Sequence, residues 1–166
     1  MAAPAEYRPD LVVELLGRHG VRYVLIGGLA AVTHGAPLVT RDVDVCHDVD
    51  RENLGRLAHA LREVNAALRG ADPRLPFILD ALTLVNGDAF TFTTEIGAID
   101  ILATPAGTSG YEDLLRTADE FDLFGHHVMV ASIDDLIRMK RAAGRTKDLL
   151  AVEELGALRD ELDRLG

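Results

Sequence analysis

The sequence predicts a mixed α/β fold: one central sheet, helices around it, and a helical tail at the C-terminus. Three observations carry that prediction. Short β-branched or alternating runs recur at residues 22–26, 43–47, 89–94 and 97–102. Segments with apolar residues at helical spacing separate them, the strongest at about 51–68. After residue 131 the strand signals stop and two helical patterns follow.

Taken in order, residues 9–17 carry helical spacing with Pro9 near the start, where its missing N–H costs nothing. The run 22–26 is continuous and β-branched, as expected of a strand buried on both faces. Gly27-Gly28 ends it, and residues 29–34 form a short helix closed by Gly35. A second strand, 43–47, precedes Asp50, which caps a helix over about 51–68 with Leu54, Leu57, Ala58, Leu61 and Val64 on one face. Prolines and a mixed pattern make 70–87 a loop with a brief apolar segment at 77–85. Residues 89–94 alternate as a half-buried strand, and 97–102 form another, interrupted by Asp100. A short helix over 111–118 leads to a hairpin, 121–124 and 127–130, around Gly125. Ser132 opens a helix with Asp135 in the capping-box position, and a last helix covers about 146–165. The expected organisation is one domain over 1–166, with a core of about 1–131 and C-terminal helices over 132–166.

Composition narrows the function. With 48% hydrophobic and 27% charged residues, the chain is ordinary for a globular protein that builds its own core. Its single cysteine, Cys46, excludes an intrachain disulfide, suits a reducing cytosol and reads as a small buried filler. No apolar run reaches membrane-spanning length, and Met1 to Tyr7 lacks the basic and apolar regions of a signal peptide, so a cytoplasmic protein is expected. The net charge of −10 argues against a broad basic surface that coats nucleic acid, but not against a locally bound nucleotide or tRNA end. Cations gather at Arg138, Lys140, Arg141, Arg145 and Lys147, either as a solvated helix face or as a phosphate-binding group.

The chemistry resides in a few residues. In an extended segment Asp42 and Asp44 project to one face while Val43 and Val45 project to the other. Two adjacent carboxylates repel unless a cation lies between them, and oxygen-only ligation suits Mg²⁺. Asp100 has the same setting between Ile99 and Ile101; if the two strands are neighbours, three carboxylates converge. Gly27-Gly28, lacking Cβ atoms at a helix start, lets a ligand's phosphates approach the backbone, or is simply a tight packing turn. His126 and His127 face opposite ways in a strand and cannot chelate as a pair, and His34 reads as a helix-end histidine.

This order of strand, Gly27-Gly28, short helix, Asp42-Val43-Asp44 and a later strand-borne Asp100 resembles the nucleotidyltransferase superfamily that includes DNA polymerase β. More locally it is similar to AbiEii-type and MenT-like toxins and related minimal nucleotidyltransferases. Ser132-Ile-Asp-Asp-Leu-Ile-Arg-Met-Lys140 and Arg145-Thr-Lys-Asp148 extend the resemblance over most of the chain. It implies Mg²⁺-dependent transfer of a nucleoside monophosphate from a nucleoside triphosphate to a hydroxyl on tRNA or protein, in a toxin-like enzyme. By the same resemblance, Asp42, Asp44 and Asp100 hold two metals and Asp100 accepts the hydroxyl proton. Gly27 and Gly28 cradle phosphates, Lys140 neutralises triphosphate charge, and Lys147 or Asp148 shapes the nucleotide pocket. Leu29 stands where many members carry serine, and Leu38 where relatives carry arginine. Two alternatives stay open: a non-catalytic module acting as antitoxin or regulatory partner, and a small antibiotic-modifying nucleotidyltransferase. A cognate antitoxin and a homodimer are the further partners implied.

Overall fold

A computed structural model describes residues 5–166. In chain order the elements are α1 (Pro9–Arg18), β1 (Tyr23–Ile26), α2 (Gly27–His34), β2 (Asp42–His47), α3 (Arg51–Glu63), β3 (Ala67–Leu68), α4 (Ala81–Val85), β4 (Ala89–Thr94), β5 (Gly97–Leu102), α5 (Tyr111–Thr117), β6 (Asp119–Leu123), β7 (His126–Val130), α6 (Ile133–Ala143) and α7 (Thr146–Leu165). The seven strands form one mixed sheet in the order β3-β4-β5-β2-β1-β7-β6. β2 runs antiparallel to β1 but parallel to β5, which brings two segments far apart in sequence together at the middle of the sheet.

Alternation decides which face is core. Val43, Val45, Ile99 and Ile101 are fully buried in one apolar cluster with Val12, Val13, Leu15 and Leu16 of α1 and Leu54, Leu57 and Leu61 of α3. The opposite face of the same two strands carries the aspartates. α2 packs on β1 and β2, and α6 meets both α2 and α7. The hairpin β6–β7 turns through Phe124 (φ 54°) and Gly125 (φ 82°), two positive values in succession that suit the twist of its strands. No helix among the described residues is long and apolar enough to cross a membrane. The reading of Met1 to Tyr7 as no export signal rests largely on Met1 to Pro4, which lie outside the described residues.

Four expectations change, the first being that Asp50 occupies the N-cap position of α3 without a side-chain capping bond, its carboxylate accepting from Arg22 instead. α3 stops at Glu63 rather than near residue 68: Asn65 adopts a left-handed conformation (φ 52°), the chain reverses, and Ala67–Leu68 pairs with β4. Within 70–87 the apolar segment resolves into α4, whose Asp80 side chain accepts a hydrogen bond from Thr83 N at 2.8 Å. Ser132 caps α6 by accepting from Asp135 N at 3.1 Å, but the Asp135 carboxylate turns to Thr117 and Arg138 instead of closing the box.

His47, at the end of β2, is fully buried, and among the described residues neither ring nitrogen has a hydrogen-bond partner. Burial pushes its pKa down to about 4, against the opposing pull of Asp88 and Asp48. The unfolded chain therefore binds the proton first, and stability is lost as pH falls from about 6.5 towards 4. We expect His47→Leu to remove a slope on the order of 3 kcal/mol over that window. Urea denaturation of both proteins at several pH values measures it; parallel curves would contradict a buried neutral imidazole.

Candidate active site

The site begins with register. Asp44 of β2 lies opposite Asp100 of β5, and both point to the face away from the buried valines and isoleucines. Asp42, two residues earlier on the same face, completes a trio whose carboxylate oxygens lie within 4.8 Å of one another. All three are half-buried. Crowding has an electrostatic consequence: burial first, then the charges of Asp42 and Asp100, hold Asp44 well above the usual carboxylate range, with Lys140 pulling weakly the other way. A set of three oxygen donors, one of which resists ionisation for want of positive charge, fits a hard divalent cation such as Mg²⁺.

Gly27 and Gly28 are as close to this trio as the sequence suggests, and sterics require them. Gly27 opens α2 at φ 72°, and a Cβ there would stand 2.1 Å from the Asp44 carboxylate. A Cβ on Gly28 would meet Thr40 Oγ1 at 2.7 Å. The pair thus lets an acidic side chain and the loop before β2 close onto the start of α2. Leu29, the residue after them, is buried in the core and is not part of the cleft lining.

These groups share a cleft of about 810 Å³. Its floor is Asp42, Asp44, Asp100 and the Gly27-Gly28 turn; apolar walls come from Leu38, Val39, Phe90 and Leu102; Lys140, Arg145, Lys147 and Asp148 close it from α6 and α7. The five clustered cations divide. Arg138 is engaged by Asp113 and Asp135, and Arg141 lies outside the cleft lining, whereas the remaining three line it. Asp148 is buried and enclosed by Arg145 (2.6 Å) and Lys140 (3.4 Å), and the Arg145 hydrogen bond chiefly depresses its pKa to about 2. It also accepts from Arg145 N at 3.2 Å, so it ties the start of α7 to the end of α6.

Other sequence candidates lie elsewhere. Cys46 is buried, with its thiol 3.6 Å from Ala103 O. His34 Nε2 lies 2.8 Å from Ala131 O and belongs to the packing of α2. His127 pairs with Glu120 on the exposed hairpin. Arg41, which strand alternation would send away from Asp42, nonetheless lines the cleft, because β2 begins only at Asp42 and alternation does not yet govern it.

Two residues near the trio carry no sequence signal of their role. Arg69 donates from Nη2 to Asp100 Oδ1 at 2.7 Å and to Phe92 O at 2.9 Å. The Tyr7 hydroxyl is buried near the trio, and its pKa is raised by burial and then by Asp42 and Asp44. Each comes from a segment remote in sequence from the aspartates, so spacing could not reveal it.

The seven-stranded mixed sheet with its flanking helices matches the fold of solved nucleotidyltransferases. Solved structures of that fold resemble the chain over nearly its whole length. The lincosamide antibiotic adenylyltransferase LnuA, bound to lincomycin, superposes with a TM-score of 0.61 at 13% identity, covering 93% of this chain and 99% of the other. The antibiotic-resistance factor ANT(2'')-Ia gives 0.55 at 12% identity, covering 94% and 90%. TM1012 of Thermotoga maritima, itself only provisionally assigned as a nucleotidyltransferase, gives 0.50 at 17% identity, covering 96% and 97%. No protein-family model matches the sequence. Among curated proteins, the large subunit of 3-isopropylmalate dehydratase from Campylobacter jejuni is 31% identical over 100 residues, 54% of this chain. The chain spans about a fifth (21%) of the length of those relatives, a segment too small to carry their activity across.

Two outcomes follow from this geometry. Gly27→Ala is expected to cost at least about 1–2 kcal/mol from the left-handed backbone alone, read by urea denaturation, and to weaken Mn²⁺ binding by displacing Asp44. Because folding raises the Asp44 pKa, the metal-free protein holds that proton more tightly than the unfolded chain does, so stability falls as pH rises above the ordinary carboxylate range. In chelator, Asp44→Asn should lose less stability than the native chain between pH 5 and 8.

Proposed function

We propose that the chain transfers a nucleoside monophosphate from a nucleoside triphosphate to a hydroxyl acceptor, with Mg²⁺ held by Asp42, Asp44 and Asp100. The observation that carries this reading is the convergence of those carboxylates beside Gly27-Gly28 in the cleft that also contains Lys140 and Lys147. A pair of Mg²⁺ ions in such a site neutralises charge on the reacting phosphate and on the leaving pyrophosphate.

The chain's own residues do the rest by placement and electrostatics. Backbone N–H groups at the start of α2 donate to phosphate oxygens. Lys140, with Lys147 near it, offsets the triphosphate's charge from the α6–α7 side. Asp100 receives the proton as the acceptor oxygen bonds to the α-phosphorus and the bond to the β-phosphate oxygen breaks. Asp148 keeps Lys140 and Arg145 in position rather than meeting the nucleotide itself.

For the acceptor, the toxin-like resemblance implies tRNA or a protein, with a cognate antitoxin as partner. A second reading, a small hydroxylated antibiotic, is favoured by the full-length likeness to LnuA and ANT(2'')-Ia and by the apolar cleft walls at Leu38, Val39 and Phe90. The net charge of −10 adds to it, since a polyanionic acceptor would be repelled over most of the surface.

Incubation with each labelled nucleoside triphosphate and Mg²⁺, in parallel with total tRNA, cell lysate and a panel of hydroxylated antibiotics, separates these acceptors. Label is expected in one arm, falling at least about 10²-fold in Asp42→Ala/Asp44→Ala. Undiminished label in that variant would sink the site assignment. Absence of any label, with a stable partner protein co-purifying, would favour the non-catalytic alternative.

A further inference from the structure

Asp100 is the one member of the trio that is gripped from outside it. Arg69 immediately follows β3, and its backbone N continues the ladder by donating to Thr91 O at 2.9 Å. Thr91 in turn lies opposite Asp100, and Asp100 opposite Asp44, so Arg69, Thr91, Asp100 and Asp44 form one row across four adjacent chain segments. The guanidinium reaches along this row. Its Nη2 spends one hydrogen on Phe92 O at 2.9 Å and the other on Asp100 Oδ1 at 2.7 Å. Anchored by its own backbone and by a carbonyl of β4, the guanidinium has little freedom to follow a moving carboxylate. It therefore fixes which way Asp100 points.

We infer that Arg69 is a positioning residue: by holding Asp100 Oδ1 it leaves Oδ2 for the cluster with Asp42 and Asp44. The inference rests on the metal reading given above. Two effects oppose each other on removal of the arginine. Loss of a group that orients a metal ligand weakens metal binding, by about 10–100-fold where such groups have been removed. Loss of a nearby positive charge strengthens it. The geometry decides for orientation: a planar donor tied to two strands sets direction in a way a free charge does not.

A double-mutant cycle tests this with a readout independent of turnover. Mn²⁺ affinity is measured by electron paramagnetic resonance for the native chain, Arg69→Ala, Asp100→Ala and the double variant. Arg69→Ala is expected to raise the Mn²⁺ dissociation constant about tenfold or more, and to have less than about a twofold effect once Asp100 is alanine. Thermal melting in chelator checks folding; if Arg69→Ala melts early, Arg69→Met, which keeps the aliphatic stem but has no side-chain N–H donor, replaces it in the cycle. Unchanged or tighter Mn²⁺ binding in the arginine variant, or an equal loss in both backgrounds, overturns the inference while leaving the metal reading intact. Native chain and Asp42→Ala/Asp44→Ala binding Mn²⁺ alike would overturn both.

Discussion

The parallel pairing of β2 with β5 is the constraint on which the cleft depends. It is held by buried Val43, Val45, Ile99 and Ile101 on one face, and it forces Asp44 and Asp100 side by side on the other. No isolated strand would accept that arrangement, since each carboxylate raises the cost of ionising its neighbour. The apolar face therefore supplies the energy that keeps an electrostatically unfavourable face assembled. A site of this kind is poised for a cation, because binding one removes a strain that the core otherwise has to absorb.

That coupling explains why so many neighbouring features look structural when viewed alone. Gly27 is glycine because Asp44 occupies the space of its side chain, and Gly28 because Thr40 does. Asp148 is buried because it joins α6 to α7 through Arg145 and Lys140. Each feature settles a packing or charge problem first and, by doing so, shapes the cleft. Of the two readings open on sequence grounds, the packing turn is the one the geometry displays: the missing Cβ atoms let Asp44 and Thr40 close onto the start of α2.

What the sequence revealed follows the same physics. Strands flanked by a buried apolar face were legible, because alternation records burial locally; α1 was legible through its periodicity and Pro9, and α2 through the glycines at its two ends. α3 ran too long on paper because Leu61, Val64 and Leu68 keep helical spacing past the point where Asn65 breaks the chain, and nothing local announces that Leu68 will pair with Phe92. The stretch 70–87 was opaque because exposed Leu75, Ile78, Leu82 and Val85 are interleaved with buried Leu79 and Leu84, so its apolar residues carry no simple burial period to read. Asp42, Asp44 and Asp100 could be named singly, but Arg69 could not, since its partner lies 31 residues away and is reached only through sheet order.

Charge distribution joins fold to the proposed chemistry. A chain with net charge −10 concentrates three cations, Lys140, Arg145 and Lys147, at the wall facing its three acidic side chains. Acid on one side and base on the other would collapse into ion pairs if the two walls touched; instead Asp148 engages Lys140 and Arg145 within their own wall, while Arg69 engages Asp100 from the β3 edge of the sheet. Acids and cations of the cleft are thus each partly neutralised by a partner other than one another. On the proposed reading, the space between them is filled by the two components each wall lacks, metal ions against the carboxylates and phosphate oxygens against the lysines. Those components attract each other as well, so binding of either favours binding of the other, and a cleft organised this way selects for the metal–triphosphate complex rather than for either part alone.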